Sequence, residues 1–113
     1  MRIVREPVPW SEVDALAKAQ FGEMIKATVD VERELLALGG ELHSDEEALL
    51  LEDGSRQRSL WGINLYPGNA PEERIQFDSM INVRPSQNNR TRGVEDPATR
   101  ARIAAIVGRL IHP

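Results

Sequence analysis

A chain of 113 residues without a cysteine has room for one core and no route to a disulfide, a thiolate zinc site or a cysteine nucleophile. Its apolar share of 41% and charged share of 28% are ordinary globular values, which exclude a disordered or fibrous chain. The net charge of -4 argues against nonspecific binding to duplex nucleic acid, which needs a large basic surface to displace counterions.

No repeat, low-complexity tract or linker interrupts the chain, so a single domain from Met1 to Pro113 is expected. Met1 to Glu6 carries no apolar stretch of signal-peptide length. No run approaches the roughly 18 to 20 apolar residues that span a bilayer. The expectation is a cytoplasmic protein with no membrane partner.

Arg2 to Arg5 reads as a short strand ended by Pro7, which lacks the amide a ladder needs. A helix is expected from about Pro9 to Gln20, with Val13, Leu16, Ala17 and Phe21 at helical spacing and Gly22 closing it. Ile25, Ala27, Val29 and Val31 then alternate with Lys26, Thr28, Asp30 and Glu32, which fits a half-buried strand whose hairpin partner is Leu36 to Leu38. The turn between them lacks glycine, and a helix from Val29 to Leu38 capped by Gly39 is the rival reading. Ser44-Asp45-Glu46-Glu47 has the form of a capping box for a helix that runs to Asp53 and is closed by Gly54; a hairpin on Asp53-Gly54 is its rival.

Leu60 to Tyr66 alternates Trp61, Ile63 and Leu65 with Gly62, Asn64 and Tyr66, and Ile75 to Arg84 alternates Phe77, Ser79, Ile81 and Val83 with Asp78, Asn82 and Arg84. Both read as strands. After the polar stretch Pro85 to Asp96 comes the last helix: Asp96 caps it, Pro97 opens it, and Ile103, Ile106, Val107, Leu110 and Ile111 form one apolar stripe. The order β-α-β-β-α-β-β-α predicts an α+β two-layer sandwich, a mainly antiparallel five-stranded sheet with three helices on one face, because alternating strands offer one apolar side. Trp61, Ile63, Phe77 and Ile81 then face inward, and Asn64, Asp78 and Arg84 face the opposite way.

Chemistry is first sought in Arg84-Pro85-Ser86-Gln87-Asn88-Asn89-Arg90-Thr91-Arg92-Gly93. Its three guanidiniums stand beside hydroxyl and carboxamide side chains, a set that grips phosphate or carboxylate in bidentate fashion. It also leads into a helix N-terminus, where free amides favour anions. The ligand residues expected on this reading are Arg84, Ser86, Gln87, Asn88, Asn89, Arg90 and Arg92, with Asn64 and Asn82 of the polar sheet face orienting the ligand. The competing reading pairs these arginines with the acidic middle segment as structural ion pairs, and Glu95 and Asp96 already occupy the positive helix end.

Glu41, His43 and Asp45 stand two residues apart, so an extended backbone projects all three to one side, a geometry that suits a divalent metal or makes His43 a general base with Glu41 available for proton transfer. If Ser44 caps a helix, Asp45 leaves that line and becomes a first-turn acid. With His112 the second of only two histidines, a zinc site is poorly supplied, and no metal or cofactor is expected. There is no G-x-x-x-x-G-K-[ST], G-x-G-x-x-G, G-x-S-x-G or H-E-x-x-H.

The chain thus reads as a small binding or hydrolytic domain whose partner is an anionic small molecule or nucleotide held at the Arg84 to Arg92 loop. The alternative is a non-catalytic interaction module acting as a homodimer. The first requires Glu41, His43 and the loop to converge on one concavity; the second leaves them apart.

Over nearly its whole length the chain resembles a family of small prokaryotic proteins known only as a domain of unknown function. The strings that carry the resemblance are Gln20-Phe21-Gly22, Gly39-Gly40-Glu41-Leu42-His43, Glu47 to Ser55, Leu60 to Pro67, Arg84-Pro85-Ser86-Gln87 and Arg92-Gly93-Val94-Glu95-Asp96-Pro97. The resemblance implies no activity, cofactor or catalytic residue. Members tend to have glycine in the turn near Glu34, which favours the hairpin between the second and third strands.

Overall fold

The structure, a computed structural model, describes residues 1–113. The chain runs β1 (Arg2–Val4), β2 (Val8–Pro9), α1 (Trp10–Gln20), β3 (Ile25–Asp30), β4 (Leu35–Leu38), α2 (His43–Glu52), β5 (Leu60–Leu65), β6 (Ile75–Gln76), α3 (Pro97–Leu110) and β7 (Ile111–His112). The fold is α+β, with three helices and a five-stranded antiparallel sheet in the order β1-β4-β3-β5-β6. β2 and β7 add a short parallel pair that ties the end of α3 to the segment before α1. No helix is long and apolar enough to cross a membrane.

The hairpin of β3 and β4 forms without a glycine because Asp30 does the work of one. Its carboxylate accepts the backbone amides of Glu32 and Arg33, both at 2.9 Å, and its carbonyl accepts the Glu34 amide. Glu34 then takes the left-handed conformation, φ 56°, that glycine adopts at no steric cost.

Register divides the sheet into two faces. Ala27 sits between Leu38 and Ile63, and Val29 between Leu36 and Trp61, so these residues share one face with Val4, Ile25 and Leu65. Val13 and Ala17 of α1 and Ile103, Ile106, Val107 and Leu110 of α3 cover that face and form the main core. The expected placement of all three helices on one face is corrected here: α2 lies on the other. Leu35, Ala37 and Leu60 point that way and pack on Leu50, whose complete burial contributes on the order of 2 kcal/mol to docking α2.

The expected strand Ile75 to Arg84 joins the sheet only over its first two residues, Arg84 bridges to Asn89 instead, and Met80–Asn82 is a turn of 3-10 helix. The Ser79 hydroxyl accepts the Ile81 amide and starts that turn. Asn82 then replaces the missing strand, its carboxamide accepting the Gly62 amide at 2.8 Å and donating to the Gly62 carbonyl at 2.9 Å. Ile81 consequently lies near α2, on the face opposite Trp61 and Ile63, while Phe77 is half-buried against the main core. The capping box does not form either. α2 begins at His43 with Leu42 at the N-cap, and Glu46, not Glu47, reaches back to a free amide, that of Gly40. The cap on α3 is as read, with Asp96 accepting the Ala98 amide and the Thr99 hydroxyl.

Candidate functional site

The segment from Asp78 to Glu95 is wired to itself. The Asn89 carboxamide donates to the carbonyls of Asn82, Thr91 and Gly93 and accepts the Glu95 amide. The Glu95 carboxylate takes the amides of Arg90 and Thr91, and those bonds hold it below the usual carboxylate range. Arg84 stacks 4.0 Å from the Trp61 ring and donates to the carbonyls of Gln57 and Leu60. Burial pulls its guanidinium below the ordinary value, with nearby Glu47 opposing. Asn82 and Asn89 therefore spend their polar atoms on the backbone, and Arg84 spends its terminal nitrogens there while its buried Nε has no partner. Ser86 and the Arg90 guanidinium stay exposed at the loop's outer side, making no side-chain hydrogen bond.

The remaining candidates divide between separate concavities. Gln87, Asn88 and Asn89 line a polar cleft of about 620 Å³ with Arg58 and Arg102. Glu41 lines another, with Asp45 and Glu52. Asn64 is buried, its amide nitrogen held by Gln76 and the Asp78 carbonyl while its oxygen has no partner. Arg92 and His43 do meet, in a pocket of about 280 Å³ that Lys26, Ser44 and Ser79 also line.

This pocket depends on Gly62. A Cβ there would lie 2.5 Å from the Ser79 side chain and 3.1 Å from the His43 ring, so only glycine lets both side chains close on β5. His43 Nε2 lies 2.8 Å from the Ile63 carbonyl, which can only accept. Burial holds the imidazole below its ordinary pKa, the bond to Ile63 partly offsets this, and Lys26 adds to the lowering. The ring is thus neutral at pH 7, with its proton on Nε2, and Nδ1 is a free lone pair with no partner in the chain.

The two cations of the pocket are held differently. The Lys26 ammonium has no carboxylate partner and rests 4.8 Å from the centroid of the Phe21 ring. Arg92 gives Nε to Asp78 at 2.6 Å, in a pair exposed to solvent, and its terminal nitrogens bond nothing in the chain. No side chain caps α2, so the positive end of that helix opens beside Leu42, His43 and Ser44.

Residues 2–110 match the family model described as Protein of unknown function (DUF5674). The chain belongs to that family. Nothing among curated proteins or solved structures matches it. No group of three or more His, Asp or Glu side chains in this DUF5674 domain is placed to hold a metal ion.

One further residue shapes the site from beneath. Glu46 is completely buried one turn after His43, with one carboxyl oxygen 3.0 Å from the Thr28 hydroxyl and the other 3.0 Å from the Gly40 amide. Desolvation pushes its pKa up to about 8, against the two hydrogen bonds, so it is a neutral acid at pH 7. Both hydrogen bonds are donated to it, one by the Thr28 hydroxyl and one by the Gly40 amide. It pins the start of α2 to β3 two residues from Lys26. Lys26, Ser79 and Glu46 escaped sequence reasoning. The one local signal was a glycine inside an apolar strand, Gly62, which marks a close approach.

Proposed function

We propose that this domain binds a small anion, a phosphate or carboxylate group, in the pocket of Lys26, His43, Ser79 and Arg92. The observation that carries the reading is one pocket lined by the Lys26 ammonium, which has no carboxylate partner, by Arg92, whose terminal nitrogens are free beside its Asp78 pair, and by the neutral His43 ring. Of the Arg84 to Arg92 loop, Arg92 alone faces this pocket, and the rest of the loop serves to hold it there.

The same arrangement supports hydrolysis of a bound ester. Lys26 and Arg92 would stabilise the charge that develops on the ester's oxygens, and Nδ1 of His43 would take a proton from the attacking water. The water oxygen bonds to the phosphorus or acyl carbon, the bond to the leaving oxygen breaks, and His43 returns the proton to that oxygen.

Thermal unfolding with phosphate, acetate and p-nitrophenyl esters of both tests the proposal. Ligand at a hundredfold its Kd adds ~2.7 kcal/mol of apparent stability. Lys26→Ala and Arg92→Ala should each remove most of that gain, and His43→Asn should abolish ester turnover while phosphate still binds. No stabilisation by any of these anions would overturn the binding site; binding without turnover would overturn the hydrolytic step alone.

A further inference from the structure

Resting on that reading, we infer that the ligand is amphiphilic: an anionic head bound by Lys26 and Arg92, carrying a short acyl, alkyl or aryl tail that lies on Leu42 and Met80. The buried residues of the pocket, His43 and Ser79, form its floor. Its rim is apolar. Leu42 is 57% exposed and Met80 66% exposed, and these two of the chain's six exposed large apolar side chains line this one concavity together with half-buried Ile81.

Neither side chain is there by slack in the chain. Leu42 is held as the extended N-cap of α2, and Met80 is the first residue of the 3-10 turn fixed by Ser79. A hydroxyl or charged residue at either place would satisfy the same backbone. An unbranched thioether adapts to tails of different shape, and the leucine supplies a fixed wall. The 280 Å³ volume is at the small end for ligand pockets, roughly 300 to 1,000 Å³, so a head group and a few carbons are what it takes. An inorganic ion alone would leave this rim uncovered, as would a highly hydroxylated phosphate.

Calorimetric titration of the full chain with two homologous series, n-alkyl phosphates and n-alkyl carboxylates from one to six carbons, with inorganic phosphate as the bare head group, tests the inference. In the series whose head group binds, affinity should rise roughly fourfold per methylene until the tail outgrows the rim. Leu42→Ala and Met80→Ala, both at exposed positions and neither adding a capping group, should flatten that rise and leave inorganic phosphate affinity unchanged. If inorganic phosphate or acetate binds but affinity is flat with tail length, or the rise survives in both variants, the amphiphilic ligand is wrong and the anion site stands. If no member of either series binds, both fall. The series that shows the rise identifies the head group as phosphate or carboxylate.

Discussion

Replacing Glu46 by glutamine isolates the energetic cost of the buried acid that positions the pocket. Free glutamate titrates near 4.5, and the folded carboxyl titrates at about 8, so between those values the folded state binds the extra proton. Stability therefore falls as pH rises through that interval, is intact below it, and is fully reduced above it. At about 1.4 kcal/mol per pH unit, the interval from 4.5 to about 8 amounts to about 5 kcal/mol, which is large beside the roughly 5–15 kcal/mol of a typical domain. Glutamine has the shape of the neutral acid and does not titrate; its carboxamide oxygen can accept the Gly40 amide, and the Thr28 hydroxyl, which now donates to Glu46, can rotate to accept from its NH2 group. Urea unfolding followed by tryptophan fluorescence from pH 5 to 9 should show Glu46→Gln within about 1 kcal/mol of the parent at pH 5 and more stable by several kcal/mol at pH 9. Taking the difference between the two proteins removes every other titrating group. A difference that stays constant across the range would refute the burial argument, because it would mean that Glu46 ionises in the fold as freely as in water.

Other substitutions probe the neighbouring supports. Glu34→Gly relieves the left-handed strain at φ 56° and gives up only an exposed ion pair with Arg109, so it should raise stability by ~1 kcal/mol in denaturant unfolding. Gly62→Ala forces a methyl onto Ser79 and should cost about 2 kcal/mol, and the double variant Gly62→Ala with Ser79→Gly should recover most of it, as read from Tm. Asn82→Ala leaves the buried Gly62 amide and carbonyl without their partner, while the Arg92 carbonyl keeps the Ser79 amide, and should cost about 3 kcal/mol. Stability unchanged in that variant would mean that Asn82 does not stand in for a strand.

Much of the sheet was legible because period-two alternation is a direct imprint of two-faced burial. Ile25 to Val29 and Trp61 to Leu65 are read correctly for that reason. The rule fails where both faces are covered. Leu35-Leu36-Ala37-Leu38 has no alternation because one set meets α1 and α3 and the other meets α2, and Leu60 likewise belongs to the second core. Ile75 to Arg84 alternates yet pairs with the sheet only at Ile75 and Gln76, since Ser79 and Asn82 offer the backbone side-chain partners that compete with a ladder. His43 stood out because an imidazole is rare in this chain and chemically distinctive. Its companions did not, because Lys26 and Ser79 are ordinary surface types until the fold brings three distant segments to one pocket. Arg84 misled in the other direction: a guanidinium in a polar stretch suggests a ligand, but carbonyls and an indole ring take it first.

The most direct measurement is the titration of the His43 ring by proton NMR, with and without saturating sulfate, an anion whose own charge is constant from pH 5 to 8. His112 lines no part of this pocket and serves as the internal control. In the free domain the His43 resonance should move below the ordinary imidazole range, as burial requires. Sulfate should raise that midpoint, because an anion held by Lys26 and Arg92 favours the imidazolium beside it, and Lys26→Ala should diminish the rise. A His43 titration curve that sulfate leaves where it was would contradict an anion site in this pocket.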